Sequence, residues 1–506
     1  MRRPKHIVPA VALTIAGMLL GLATNRAAWS QPKPAIPQGG ETGALGGFLT
    51  PSDHPSQVDP QIAVSSTGRV YRMWIDSTKG RSGEIRLQTS LDGGTTWSGE
   101  PVVVDKAKPQ GTEAAGASLK TDGTGRVMVL WRLKARGVGG RKDMQFTMSP
   151  DGGATWPTAP KVLNRDGQAL SGEMAADGQG HVYAAWYDER KASKTPKGVG
   201  SRVFHIFFNR SDDFGQTWLT DDVLLSGPER TGKAPFISAL PRIQADGKGG
   251  VFVAWIDTRT GRTEIIVRAS QDHGKTWGPE VNVSQGALSS TSHQLLVDDA
   301  GRLLLVWADN RLGPSDVFFS RSEDRGKNWS EPARLSRHRP GVALSAAPHM
   351  AVSRDGRVYV AWQDTRNGRE DIYMNISADG GRTWLESDVR LDRDGAGTGV
   401  SDLPHVLVRP DGAVVVAWSD DRSGFEEILL TRSTDGGKTW LDREIRVDVD
   451  GKPGDRGRSV KLAANAAGVI FATWEIWEGA GLQITKRVGY RRLVLPEVSS
   501  AVAPAR

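Results

Sequence analysis

The pattern S-x-D-x-G-x-[TN]-W occurs seven times in this chain, starting at Ser90, Ser149, Ser211, Ser270, Ser322, Ser377 and Ser433 and closing on Trp97, Trp156, Trp218, Trp277, Trp329, Trp384 and Trp440. Self-similarity at a period of roughly 50 to 60 residues marks a propeller or solenoid built from one repeated supersecondary unit. A repeat array counts as one body however long it runs, so the length of 506 residues does not call for several domains. Functional residues are expected where the repeat breaks.

Residues 346–400 display the unit: strands from Met350 to Ser353, Val358 to Trp362, Asp371 to Ile376 and Asp388 to Leu391, with a turn at Asp355 and Gly356 and the boxed turn before the last strand. Alternating apolar positions bounded by turn residues predict strands, and four antiparallel strands per repeat make one propeller blade. The second strand of every unit carries its own tryptophan: Trp74, Trp131, Trp186, Trp255, Trp307, Trp362, Trp418 and Trp474. The chain is therefore expected to be all-β, a β-propeller of eight four-stranded antiparallel blades, with a seven-bladed ring and a C-terminal appendage as the alternative. The eighth blade lacks a boxed turn. Its strands are expected at 460–463, 468–474 and 482–487, with an outer strand from 490–495 or from the N-terminal segment near Phe48. In the second case the two ends of the chain close the ring together.

Arg2, Arg3 and Lys5, an apolar run from Ile7 to Ala23 and the small-x-small site Ala28-Trp29-Ser30 read as a secretory signal over 1–30. An uncleaved leader would instead hold the protein at a membrane. A Pro/Gly-rich flexible arm over 31–47, a single propeller over 48–497 and a tail over 498–506 complete the expected organisation. The protein is expected to be exported, periplasmic or extracellular, and monomeric. It has no cysteine, which excludes disulfides, a thiol nucleophile and Cys-ligated metal. The formal charge of +7 includes Arg2, Arg3, Lys5 and Arg26 of an acid-free leader, so the remainder carries +3, too little to argue for nucleic acid.

In the boxed turn the Asp (Asp92, Asp151, Asp213, Asp272, Asp324, Asp379, Asp435) can accept hydrogen bonds from its own hairpin, and the Gly two positions later permits positive φ. The closing Trp fills the wedge between strands. A device used identically seven times is structural. This motif resembles the Asp box, or bacterial neuraminidase repeat (BNR), of the sialidase-like superfamily, and the resemblance covers nearly all of the chain beyond the leader. It implies boxes joining the third and fourth strands, on the face opposite an active site. Catalysis does not follow from it, because Asp boxes also occur in propellers that are not sialidases. The family's catalytic set does not transfer: Tyr71-Arg72-Met73-Trp74 lacks the Ile-Pro of its N-terminal motif, Leu240-Pro241-Arg242-Ile243 has the wrong order, and Tyr490, outside the regular pattern, has no obvious Glu partner. Sialidase catalytic domains of this kind also have six blades.

On the opposite rim a second motif, W-x-D-x-R, brings Arg190, Arg259, Arg311, Arg366 and Arg422, each behind its Asp, to one height. Five such sets form either a ring of ion pairs or an anion-binding mouth. His293, His349 and His405 open the first strands of blades five, six and seven, where blade four has Arg242, and are expected at one level of the channel. Hydrogen bonding to the W-x-D aspartates is the favoured role for them; no metal or cofactor is expected.

Breaks in the repeat supply the sharper candidates. The loop 189–202 of blade three carries Arg190, Lys191, Lys194 and Lys197, and blade two adds Arg132, Lys134, Arg136, Arg141 and Lys142, a positive sector for an acidic glycan or other anion. Blade eight puts Glu475, Trp477 and Glu478 on the same rim, near Asp76 after ring closure; the Trp suits stacking on a sugar and the acids suit glycosidic acid–base work. The expectation is a propeller that binds a glycan or protein ligand at its non-box face. A sialidase-like exo-glycoside hydrolase and a non-enzymatic envelope scaffold are the alternatives.

Overall fold

The computed structural model describes residues 45–48 (backbone only), 57–77, 83–106, 108–135, 140–165, 167–189, 203–227, 236–286, 288–449, 455–479 and 485–495. All of them belong to the compact unit Pro37–Arg506. They hold no helix, hence none long and apolar enough to cross a membrane. The expected leader, residues 1–30, lies outside them.

Eight four-stranded antiparallel sheets form an eight-bladed propeller. Blade six is representative: Ser345–Val352, Val358–Asp364, Asp371–Ser377 and Val389–Arg390 pair in chain order from the inner strand outward. Its second strand is buried along its whole length because neighbouring blades cover both faces, so it reads as a near-continuous apolar run ending in the marker Trp. Seven of the eight marker tryptophans are fully buried and Trp474 is 5% exposed.

The ring closes through its ends. Blade eight comprises Arg456–Ala464, Ile470–Glu478 and Thr485–Leu493, and its fourth strand is Leu45–Phe48, paired with Gly489 to Arg492. The third strand thus runs to Leu493 rather than stopping at residue 487, and Tyr490 lies within it. Tyr490 faces Thr473, the residue before the marker Trp, as Phe146, Phe208 and Phe319 face Leu130, Ala185 and Val306 in their own blades. Each of these rings takes the boxed Trp of the next blade edge-on: Trp218 on Phe146 at 5.0 Å, Trp277 on Phe208, Trp384 on Phe319 and Trp97 on Tyr490 at 4.9 Å. Tyr490 is therefore the ring-closing copy of a repeated blade-to-blade contact, with Arg72 stacked 4.1 Å over Trp97.

Deleting residues 1–48 should strip blade eight of its outer strand and leave the 489–492 edge unpaired. Each backbone hydrogen bond is worth about 0.5–1.5 kcal/mol, so a loss of a few kcal/mol in urea unfolding, with self-association through the bare edge, is expected. Unchanged stability would mean the ring closes without this strand.

The boxes behave as one unit repeated. In blade four the Ser270 hydroxyl donates to Asp272 (2.8 Å), which accepts from the Thr276 amide (2.8 Å) and hydroxyl (2.6 Å). Those two bonds from Thr276 hold the Asp272 carboxyl down at about 2. Gly274 sits at φ +78°, and a Cβ there would lie 2.6 Å from Phe208 of blade three. The Gly both turns the hairpin and lets blades approach.

Candidate functional site

Strand direction separates two faces. Boxes close the end where third strands turn into fourth strands, and W-x-D-x-R closes the other, beside the starts of the inner strands. There Asp364 accepts from Ser345 Oγ (2.7 Å), Trp362 Nε1 (3.0 Å), the Arg366 amide (3.0 Å) and Arg366 Nε and Nη2 (both 2.8 Å). Arg259, Arg311 and Arg422 bind Asp257, Asp309 and Asp420 likewise, with Glu280, Asp388 and Glu444 as second partners of Arg259, Arg366 and Arg422. Burial opposes charge on Arg366, yet its bonds to Asp364 and Asp388 outweigh that and lift it above its ordinary range. These four arginines form a ring of internal ion pairs; Arg190 lies outside the described residues.

The channel wall is read from register. Gln61, Ser118, Glu173, Arg242, Gln294, His349, His405 and Lys461 each pair with the residue preceding a marker Trp, so they stand at one height. His293 is not at that height: it takes the place of Pro241, Pro348 and Pro404, one residue nearer the strand start, and Gln294 takes the expected place. The offset is one of sequence: His293 stands 14 residues before Trp307, whereas His349 and His405 stand 13 before Trp362 and Trp418. Every inner strand carries a bulge at this level, which in seven blades holds a residue at positive φ (Asp59, Gly116, Leu240, Ser292, Ala347, Leu403, Ser459). The histidines do not bond the W-x-D aspartates. Gln294 Oε1 accepts the Met350 amide (2.6 Å) and His349 Nδ1 accepts the Val406 amide (3.1 Å), so at these two junctions a side chain staples an inner strand to the next. His349 and His405 lie 4.0 Å apart, ring to ring. Burial, with Arg242 nearby, drops His293 to about 3 and His349 to about 4; burial, His349 and Lys461 push His405 well down. All three are neutral at physiological pH.

Blade eight arranges its candidates differently from expectation. Glu475 Oε1 accepts the Asp59 amide across the ring closure (3.1 Å), as Gln363 accepts the Leu403 amide (3.2 Å), and Trp477 Nε1 donates to Glu475 Oε2 (2.8 Å). Glu475 thus performs a repeated stapling task, against Asp59 rather than Asp76, which pairs with Arg86 (3.2 Å). Glu478 is ion-paired with Arg487. The half-buried Trp477 ring carries Lys486 Nζ at 4.0 Å and Arg458 at 5.5 Å. Arg458 in turn reaches Asp402 (3.2 Å) and Glu426 (3.4 Å). Burial, only partly offset by Arg458 and reinforced by Glu426, raises the Asp402 carboxyl to about 6.

Residues 249–453 match the BNR repeat-like domain family, and a sialidase of Bacteroides fragilis is 25% identical over 296 residues, covering 52% of this chain and 51% of that protein. The chain is an eight-bladed propeller that carries BNR-type repeats and is similar to a sialidase. It spans about half the length of the curated relative it matches. Among solved structures, a mutant NanB sialidase of Streptococcus pneumoniae aligns at TM-score 0.37 with 14% identity, over 94% of this chain and 72% of that one. The polysaccharide lyase Uly1 aligns at 0.48 with 10% identity, over 79% and 94%.

In this BNR propeller Lys191, Lys194, Lys197 and Arg136 lie outside the described residues. The other blade-two cations sit in strands or beside acids: Arg132 and Lys134 within Val127–Ala135, Arg141 on Asp143 (2.8 Å) and Lys142 on Glu189 (2.6 Å). Sequence reasoning missed Asp402, Glu426 and Arg458. A signal existed: Asp402 and Arg458 occupy one inner-strand position that is Val58, Ala115, Ser171, Ala239, Thr291 and Ala346 elsewhere, so charge enters it only in blades seven and eight.

Proposed function

We propose that this BNR propeller binds a glycan on the face opposite its Asp boxes, where blades seven and eight meet. The observation that carries the reading is the grouping of Asp402, Glu426 and Arg458 beside the half-buried Trp477 ring. An indole suits the apolar face of a sugar and carboxylates suit its hydroxyls, while Lys486 and Arg458 favour an acidic sugar. The protein acts outside the cytoplasm in this reading, carried there by its basic, apolar leader.

Sialidase-like glycoside hydrolysis is the second reading. It is favoured by Asp402, a carboxyl raised to about 6 with Glu426 nearby, because unequal acids divide acid and base roles. The named activity of the Bacteroides fragilis relative points the same way. Against it, Arg259, Arg311, Arg366 and Arg422 are held by their own carboxylates.

A glycan array of neutral and acidic sugars, run with hydrolysis assays on the same set, tests both. Binding without turnover, weakened about tenfold or more by Trp477→Ala, supports the first reading. Turnover lost in Asp402→Asn supports the second. Silence in both assays leaves an envelope scaffold.

A further inference from the structure

On the box face a different set of side chains joins the blades. At five of the six junctions between blades one and seven, an arginine bridges the inner turn of one blade and the boxed turn of the next. Arg69 lies on Gly152, Arg126 on Phe214 (3.6 Å), Arg302 on Gly380 and Arg357 on Gly436, while Arg325 of blade five reaches back to Asp246 (2.5 Å). Three of the four arginines that precede a second strand also pair with an acid of their own turn: Arg126 with Asp122 (3.1 Å), Arg302 with Asp298 (2.6 Å) and Arg357 with Asp355 (3.0 Å). The junction of blades three and four has no arginine in this place. His181 and His273 stack there at 4.0 Å, over Asp177.

We propose that this junction is a transition-metal site, with a divalent ion of the Zn2+ type replacing the guanidinium. Asp177 is aimed: Oδ1 accepts the Gln179 amide (2.8 Å) and the His181 amide (3.1 Å), leaving Oδ2 at 2.6 Å from His181 Nδ1 and 3.8 Å from His273 Nδ1. The three donor atoms lie within 4.8 Å of one another, and a tetrahedral ion with bonds of about 2.0–2.2 Å separates its donors by roughly 3.4 Å. Two imidazoles and a carboxylate are ligands Zn2+ takes. Tyr183 Oη stands 3.1 Å from His273 Nδ1. Asp212, which is ion-paired with Arg210, lies 4.0 Å from His181 Nε2.

Backbone conformation adds an independent argument. His273 holds φ +61° at a box position that is Gly in four of the seven boxes. The two other exceptions, Phe214 and Arg325, each use the strained position for a cross-blade contact. His273 likewise reaches across the junction, to His181 and Asp177.

The test is titration of EDTA-stripped full-length protein with Co2+, read by visible absorption, and with Zn2+, read by calorimetry and Tm. One ion per chain, a four-coordinate Co2+ spectrum and a rise in Tm with Zn2+ are expected. The double variant His181→Arg with His273→Gly rebuilds the Arg302–Gly380 arrangement, so it should fold, lose the spectrum and show no Zn2+-dependent Tm. His293→Ala should keep the metal response. No saturable binding to the wild type, or equal binding by the double variant, overturns the site.

Discussion

Replacing Asp364 by Ala is expected to destabilise the propeller by about 3–5 kcal/mol, the cost of leaving a buried charged partner uncompensated. The carboxylate is fully buried and receives five hydrogen bonds, from Ser345, Trp362 and the Arg366 amide and guanidinium. Its removal strands an indole N–H, a hydroxyl and half of a guanidinium whose remaining carboxylate is Asp388. Asp364→Asn should cost less, because one acceptor oxygen survives. Urea unfolding decides it: a loss below about 1 kcal/mol for the Ala variant would show that the W-x-D-x-R ring is not the structural element its geometry implies.

Acidification from pH 7 to about pH 4.5 is expected to weaken the fold through the channel histidines. Their folded pKa values lie below the unfolded value of about 6.5. Below that value the unfolded chain binds protons that the folded chain refuses, so stability is complete above pH 6.5 and falls as pH drops toward the folded values of about 4 for His349 and about 3 for His293. Each pH unit of displacement is worth about 1.4 kcal/mol, so His293 and His349 each contribute about 1–3 kcal/mol. The charges facing them are Arg242 and Lys461, both of which disfavour protonation. Asp392, raised by burial to about 8, and Asp402 and Asp448, raised by burial to about 6, act in the opposite direction, and the box aspartates lose their contribution only below about pH 4. The clean readout is therefore a difference. His349→Gln copies Gln294, which makes the equivalent bond in blade five, so it should fold and show a shallower decline between pH 6.5 and 4.5. An identical pH profile would sink the assignment.

Legibility followed repetition. Seven boxes and eight marker tryptophans predict eight blades because each is a local device whose spacing survives in the linear chain. Blade eight carries less signal: without a box nothing local marks the end of its third strand, which runs to Leu493 rather than residue 487, and Tyr490, outside the regular pattern in sequence, copies Phe146, Phe208 and Phe319. The inner strands misled for another reason. His293 stands 14 residues before its marker Trp and His349 and His405 stand 13, so a spacing of one residue, not a difference in the bulge that all these strands share, puts it a position away in space. Glu475 and Glu478 were singled out as departures from the repeat, yet one staples like Gln363 and the other pairs with Arg487.

What the sequence by itself determined is the blade: strand order, boxed turn, marker Trp and the ends of strands on which each motif sits, all set by contacts within some 60 residues of chain. What only the tertiary structure decided is what happens between blades. Asp402 meets Arg458 across 56 positions and His181 meets His273 across 92. Such pairs carry no local signature, because their partners are chosen by the angle and height at which one blade stacks on the next.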